Sequence, residues 1–195
     1  MFVNIPHDHL GSTLVLSKKT ARLQYMDEHT ATLTECCVPC MGSIDSEKAI
    51  IIDDFMLKFK SFRIDNGSTI ILDEKVHYEY EEGEVIDWSM EHITKYGFLF
   101  ITNDISLVER DIQVVISFDK NYFCIDDECG TVVKFPFQST KKFNIGPQKF
   151  NSSYIIDSLL THVGSYCQIS LGDDQPICFE FPGEHRIFIA PIIKT

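Results

Sequence analysis

Apolar and polar residues alternate along most of this chain. The pattern first appears in STLVLSKKTARLQYM (residues 12–26) and HTATLTECC (residues 29–37). Because successive side chains of a strand point to opposite faces, the alternation predicts half-buried β-strands. Strands are also predicted in KAIIIDD, GSTIILDE and KVHYEYEEGE. In the second half a pair of strands is predicted in IQVVISFDKNYFCIDDECGTVVKFPFQ, another in KKFNIGPQKFN, and three in SYCQISLGDDQPICFEFPGEHRIFIAPII.

Three segments are predicted to be helical instead. DFMLKFKSFRID (residues 54–65) carries its apolar residues at mixed helical spacing. A second helix is predicted at Phe98–Glu109 and a third at Ser152–Val163. The third has Ser152 or Ser153 as its cap, and the following glycine ends it.

An acidic, weakly patterned stretch, EEGEVIDWSMEHITKY, separates two halves with similar element order. We interpret Glu81–Trp88 as a linker and predict two domains, residues 1–84 and 85–195. The predicted fold class is α+β, with two similar lobes that each contain an antiparallel sheet and one or two helices.

The formal net charge of −12 opposes a simple basic nucleic-acid binder, because phosphate contacts need clustered Lys and Arg. It does not exclude a locally basic face. No apolar run reaches the ~18 residues of a membrane span. Residues 1–20 lack a secretory pattern, so we expect an intracellular protein.

The sequence contains no recognisable catalytic or metal-binding motif. It lacks G-x-S-x-G, a P-loop and H-E-x-x-H, and no nucleophile stands beside a base. Cys37 and Cys40 form one C-x-x-C, but zinc needs a second ligand pair. A strand end followed by a turn is the alternative interpretation of CCVPC. We therefore predict no enzymatic activity, no cofactor and no metal.

Four segments resemble sliding clamps of the proliferating cell nuclear antigen (PCNA) type. LQYMDEHTATL resembles the first-domain pattern L-Q-x-M-D-x-x-x-x-x-L, and GFLFITNDISLVERDIQVVIS resembles the second-domain F-x-x-I-x-x-D-x-S followed by V-V-I-S. DDQPICFEF and RIFIAPII resemble the penultimate and last strands. The segments occur in the family's order and cover most of residues 20–193.

This resemblance implies a DNA-clamp fold whose subunits join edge to edge in a homo- or hetero-trimer. Such a ring tethers DNA polymerases and repair proteins to DNA without reading its sequence, in the nucleus or at a viral replication site. Partners would insert short hydrophobic motifs into a pocket on the ring. The residues carried over to that pocket are Met26, Ala31, Leu33, Pro176, Phe188, Ala190 and Pro191. The alternative is that these are ordinary core and strand residues.

The sequence departs from the family in three ways. Only about twenty residues precede LQYM, so one helix facing the central hole is expected to be absent. The interdomain connector, residues 80–90, is a stub. The expected helices at Phe98–Glu109 and Ser152–Val163 lack the family's basic residues. The predicted DNA-facing residues are therefore Lys58, Lys60 and Arg63, whose alternative is a solvated helix face.

These departures leave several functions open. The first is a sliding clamp that acts as a processivity factor in replication or repair. The second is one subunit of a heterotrimeric checkpoint clamp in DNA damage signalling. The third is an interaction module with a clamp fold that does not encircle DNA.

Overall fold

The computed structural model describes residues 1–4, 10–27, 32–59, 61–64, 67–86, 92–127, 129–142, 145–183 and 185–193. Within these ranges the chain forms seventeen β-strands, one α-helix and two 3-10 helices. No helix in the described part of the chain has the length and apolar character needed to cross a bilayer.

The chain divides into two compact units. The first unit comprises Met1–Met26 and Thr34–Asp87, and the second comprises Asp27–Leu33 and Trp88–Thr195. The predicted domains, residues 1–84 and 85–195, stay a prediction.

Nine strands belong wholly or mainly to the first unit. A five-stranded sheet has the order β5-β1-β7-β8-β9, and a second group has the order β4-β3-β2-β6. Apart from the contact between β3 and β4, each neighbouring pair has antiparallel register. The strands are β1 Phe2–Asn4, β2 Thr13–Ser17, β3 Thr20–Asp27, β4 Thr32–Val38, β5 Cys40–Met41, β6 Lys48–Ile51, β7 Ser61–Ile64, β8 Thr69–Leu72 and β9 Val76–Glu79.

The predicted helix at residues 54–65 is wrong. Its first part is a 3-10 helix, Met56–Lys58, begun by the Asp53 carboxylate, which accepts the backbone N–H groups of Phe55 and Met56 at 3.0 and 2.8 Å. The chain then becomes β7, in which buried Phe62 and Ile64 alternate with more exposed neighbours. Because β7 pairs with β1 on one edge and β8 on the other, extended backbone satisfies more hydrogen bonds here than a helix would.

Eight antiparallel strands form the sheet of the second unit, in the order β14-β11-β12-β13-β10-β15-β16-β17. IQVVISFDKNYFCIDDECGTVVKFPFQ forms three strands instead of the predicted pair. The three strands after the helix are confirmed. The bounds are β10 Thr94–Phe100, β11 Gln113–Asp119, β12 Tyr122–Asp127, β13 Val132–Ser139, β14 Gln148–Asn151, β15 Tyr166–Leu171, β16 Ile177–Phe181 and β17 His185–Ile189.

The predicted third helix is confirmed as α1, Ser152–Leu160, although it ends earlier than expected. Its N-cap is Asn151, whose side chain accepts the backbone N–H of Ser153 at 2.9 Å. The two predicted capping serines instead accept N–H groups from the loop before β11: Ser152 Oγ from Ile112 and Ser153 Oγ from Asp111. Ile155, Ile156 and Leu159 pack into the core of this unit.

The predicted helix at Phe98–Glu109 is wrong. Strand β10 continues to Phe100, and a 3-10 helix follows at Asn103–Leu107. The architecture is thus mainly antiparallel sheet with one α-helix in the described part of the chain. One or two helices were expected in each lobe. The described part of the first unit contains a single 3-10 helix of three residues.

Candidate partner-binding site

The end of the chain lines a groove in the second unit. Strand β17 stops at Ile189, and Pro191, which has no N–H to donate, prevents further strand pairing. The following Ile192 donates its N–H to the carbonyl of Lys149 at 2.8 Å, so the tail lies beside β14. The groove has a volume of about 350 Å³ and is lined by Pro147, Gln148, Lys149, Asp174, Pro191, Ile192 and Ile193.

The groove combines an exposed apolar wall with polar groups. Ile193 is 63% exposed, an unusual environment for a large aliphatic side chain. Gln148 is buried and donates from Nε2 to the carbonyl of Gly172. Its Oε1 has no donor in the part of the chain that the structure describes. A peptide with an apolar side chain is the type of ligand that suits these surroundings.

Gly172 fixes the loop that carries Asp174. A Cβ at Gly172 would lie 2.2 Å from the carbonyl oxygen of His92 and 2.9 Å from the side chain of Gln175, so only glycine fits. Its carbonyl accepts both the Gln148 amide and the backbone N–H of Gln175. The loop after β15 is therefore held against the start of β14.

The predicted pocket residues have different environments. Pro191 lines the groove, whereas Pro176 and Ala190 are half-buried nearby in the sequence. Phe188 is 3% exposed. It stands on the face of β17 opposite Ile187 and Ile189, which belong to the core.

Two further predicted pocket residues lie in β3 and β4. Met26 is half-buried at the end of β3, and Leu33 is buried in β4. Ala31 lies outside the described residues. The roles of these residues in partner binding stay a prediction.

The connector is anchored by a residue that the sequence did not single out for a role. Gln24, the glutamine of LQYMD, is buried in β3. Its Oε1 accepts the N–H of Ile86 at 3.0 Å, and its Nε2 donates to the carbonyl of Ile86 at 2.9 Å. Nε2 also donates to the buried Glu35 carboxylate at 3.0 Å, which Arg22 approaches at 3.5 Å. The Gln24 amide thus binds both backbone groups of Ile86, its N–H and its C=O, which fixes the connector at residue 86.

Earlier connector residues lie along β6. Ile51 donates to the carbonyl of Glu81 at 3.0 Å, and Gly83 donates to that of Ala49 at 3.1 Å. A Cβ at Gly83 would lie 2.8 Å from the methyl group of Thr13, so the glycine permits this close approach. Backbone hydrogen bonds to β6 thus order the short connector up to Ile86, where Gln24 contacts it.

The predicted DNA-facing residues do not share one helical face. Lys58 is exposed at the end of the 3-10 helix, with its Nζ 5.7 Å from the ring centre of Phe55. Arg63 is exposed in β7, where its cross-strand neighbours are Phe2 and Ile71. Lys60 lies outside the described residues.

Helix α1 carries no Lys or Arg, and Asp157 is paired with Arg110 at 2.7 Å. Among the described residues no three His, Cys, Asp or Glu side chains are grouped as metal ligands. In CCVPC, burial is the main cause that raises the pKa of the Cys36 thiol, and the Glu35 carboxylate is the next. The raised pKa disfavours the thiolate at Cys36, which is the form that zinc binds.

The sequence matches no family model, and no curated protein matches it by sequence. Solved structures do match. One is a putative DNA polymerase III beta subunit from Eubacterium rectale, with a TM-score of 0.63 and 13% identity over 94% of this chain and 57% of that one. Another is the DNA polymerase sliding clamp from Pseudomonas aeruginosa, with a TM-score of 0.61 and 11% identity over 94% of this chain and 58% of that one.

The chain has the DNA-clamp fold. The fold that the quoted PCNA-like segments imply is therefore confirmed, although both matched structures are bacterial. The chain spans less than two thirds of the length of either clamp. At such low identity the clamp fold is shared, whereas activity and partners are matters for proposal.

Proposed function

We propose that this chain is a subunit of a sliding clamp that tethers a DNA polymerase or repair proteins to DNA, without catalysing a reaction itself. The observation that carries the proposal is the match of 94% of the chain to two clamp structures. Their names identify a polymerase subunit and a polymerase clamp. A tether of this kind acts through its topology, which requires no nucleophile, cofactor or metal.

In this proposal partner proteins dock at the groove formed by the C-terminal segment. Pro191, Ile192 and Ile193 supply its apolar wall. A short motif with an aromatic or aliphatic anchor would gain most of its binding free energy from burial against this wall.

DNA contact is assigned in the proposal to Lys58, Lys60 and Arg63. Three cations per subunit hold phosphates weakly, and a sliding ring needs only weak, sequence-independent contacts. Because the net charge is −12, retention on DNA would come from encirclement more than from electrostatic attraction.

The mass of the protein in solution tests whether it forms a ring of subunits. We expect sedimentation equilibrium to give a mass near three times 22.4 kDa for a homotrimer. A chain that stays monomeric alone but gains the mass of a trimer when mixed with other clamp-like subunits would indicate the hetero-ring of a checkpoint-type clamp. A chain that is monomeric in every mixture would contradict both forms of the proposal.

One observation favours a second function, an interaction module with a clamp fold that does not encircle DNA. The single α-helix in the described residues has no cation, and its Asp157 is exposed. A helix facing the phosphates of DNA would be expected to carry Lys or Arg. This second function predicts that the chain is monomeric in every mixture.

A further inference from the structure

A second groove lies on the outer face of the sheet in the second unit, away from the C-terminal segment. In β10 the side chain of Leu99 enters the core, so Phe98 and Phe100 point to the opposite face. Phe98 pairs with Gln138 of β13, and Phe100 pairs with Tyr166 of β15. Adjacent strands therefore place these rings and amides side by side.

The backbone is adapted to this arrangement at Gly97. A Cβ at that position would lie 2.1 Å from the carbonyl oxygen of Gln138 and 2.7 Å from the ring of Phe137. Only glycine allows β10 and β13 to approach so closely beside Phe98. The register of β10 also shifts between Lys95 and Gly97.

The groove has a volume of about 520 Å³ and five aromatic rings in its lining. Tyr166 is 62% exposed and Tyr122 is 45% exposed, and Phe98 is also exposed. The rings of Phe100 and Tyr166 are 4.7 Å apart between centroids. A contiguous set of exposed rings is uncommon on a monomer surface and marks a binding face.

The polar groups of this groove are neutral, and each can donate as well as accept a hydrogen bond. They are the carboxamides of Asn121 and Gln138 and the hydroxyl groups of the two tyrosines. No charged side chain lines the groove in the described part of the chain, although the protein carries a net charge of −12. Lys134 lies 5.8 Å from the ring centre of Tyr122, but it is ion-paired with Asp119 at 3.5 Å.

This chemistry distinguishes between ligand classes. Single-stranded nucleic acid also stacks on aromatic rings, but it needs cations for its phosphates, and the groove supplies none that is unpaired. A proline-rich segment is uncharged and preorganised as an extended helix. It offers flat pyrrolidine rings to the aromatic faces, and its carbonyl groups need donors. We propose that this groove binds an extended, proline-rich peptide segment of a partner protein.

The test uses decaproline as the probe, titrated into the isotope-labelled full chain and followed by NMR. We expect saturable shifts centred on Phe98, Phe100, Tyr122 and Tyr166. Tyr166→Ala should weaken binding at least tenfold, and Tyr122→Phe, which removes one hydroxyl group, should weaken it severalfold. Because both side chains are substantially exposed, the melting temperature should stay unchanged in each variant.

The matched control is Tyr25→Ala, because Tyr25 is a strand tyrosine of the first unit that is 48% exposed. It should bind decaproline as the unaltered chain does. Several outcomes would overturn the proposal: no saturation with decaproline, equal weakening by Tyr25→Ala, or saturation of the same residues by oligo(dT). A doubling of mass that Tyr166→Ala abolishes would also overturn it, since the occupant would then be a second copy of this chain.

Discussion

At the scale of single residues, burial separates the predicted pocket into two classes. Pro191 lies at an open groove, whereas Phe188 is enclosed although its side chain points away from the core on β17. The sequence pattern RIFIAPII does not distinguish these environments, because alternation gives the face of a side chain but not what covers it. The Ala-Pro pair was informative because proline has no N–H to donate, and β17 stops two residues before Pro191.

Phe188 should therefore behave as a core residue in stability measurements. We expect Phe188→Ala to lower the free energy of unfolding by about 3–5 kcal/mol, since a buried ring is replaced by a cavity. Urea denaturation measures this change. Ile193→Ala is the control and should change the free energy by less than about 0.5 kcal/mol, because Ile193 is exposed. Equal small effects of the two substitutions would show that Phe188 is accessible in solution.

His162 should make stability depend on pH. Burial lowers the pKa of His162 below its ordinary value of 6.5, and its ring stacks on Phe181 with centroids 3.8 Å apart. The unfolded chain then binds the proton more readily than the folded chain. The contribution of His162 is thus fully present above about pH 6.5 and is lost as the pH falls below that value.

The measurement compares melting temperatures between about pH 7.5 and 5 for the unaltered chain and for His162→Phe, which keeps the stacked ring. The variant should lose less stability on acidification. His77→Gln, at an exposed position of β9, should not alter the pH dependence. Parallel pH profiles for the unaltered chain and His162→Phe would contradict the assignment.

At the scale of elements, strands were predicted better than helices. The alternation in β4 and β13 reflects one buried and one more exposed face, and the sequence records this directly, whereas in β2 and β16 several buried residues follow one another. The segment DFMLKFKSFRID shows why the helices failed. Its apolar residues fit a helix locally, but β1 and β8 provide hydrogen-bond partners on both sides of residues 61–64, and the β1 partner is distant in sequence.

The connector is the element whose order depends most on a single side chain. Replacing Gln24 with Leu removes both hydrogen bonds to the backbone N–H and C=O of Ile86 while keeping a similar volume. We expect amide exchange at Ile86 to accelerate by about ten- to a hundredfold, because about 1–3 kcal/mol of local stabilisation is lost.

Hydrogen–deuterium exchange read by NMR gives the rate at Ile86. Gln168→Leu replaces a half-buried strand glutamine of the second unit and should leave that rate unchanged. An unchanged rate in Gln24→Leu would show that pairing with β6 alone orders the connector.

At the scale of the whole molecule, the resemblance predicted the fold and the charge pattern did not. Ordered short motifs implied a DNA clamp, and solved clamp structures match 94% of the chain. The expected common basic face of Lys58, Lys60 and Arg63 assumed a helix, and the structure puts Lys58 and Arg63 in different elements. A groove built from several strands, such as that at Phe98 and Tyr166, has no local sequence signal because cross-strand register creates it.

The three proposed DNA-contacting residues should contribute to DNA binding mainly before the ring surrounds the DNA. We expect replacement of Lys58, Lys60 and Arg63 by Glu to reduce binding to short duplex DNA at low salt at least tenfold, through loss of phosphate contacts. Replacement of Lys18, Lys19 and Lys75 by Glu changes the net charge equally and is the control. Fluorescence anisotropy across a salt series measures both, and equal losses would remove the specific role of the three residues.

The proposed function requires that the protein surrounds the DNA that it holds. Linear duplex DNA fixed to a surface at one end tests this: the protein is loaded at low salt, and the other end is then either left free or blocked by a bulky protein. After a wash at high salt, we expect the protein to stay on blocked DNA and to leave free-ended DNA. Equal loss from both DNAs would contradict encirclement.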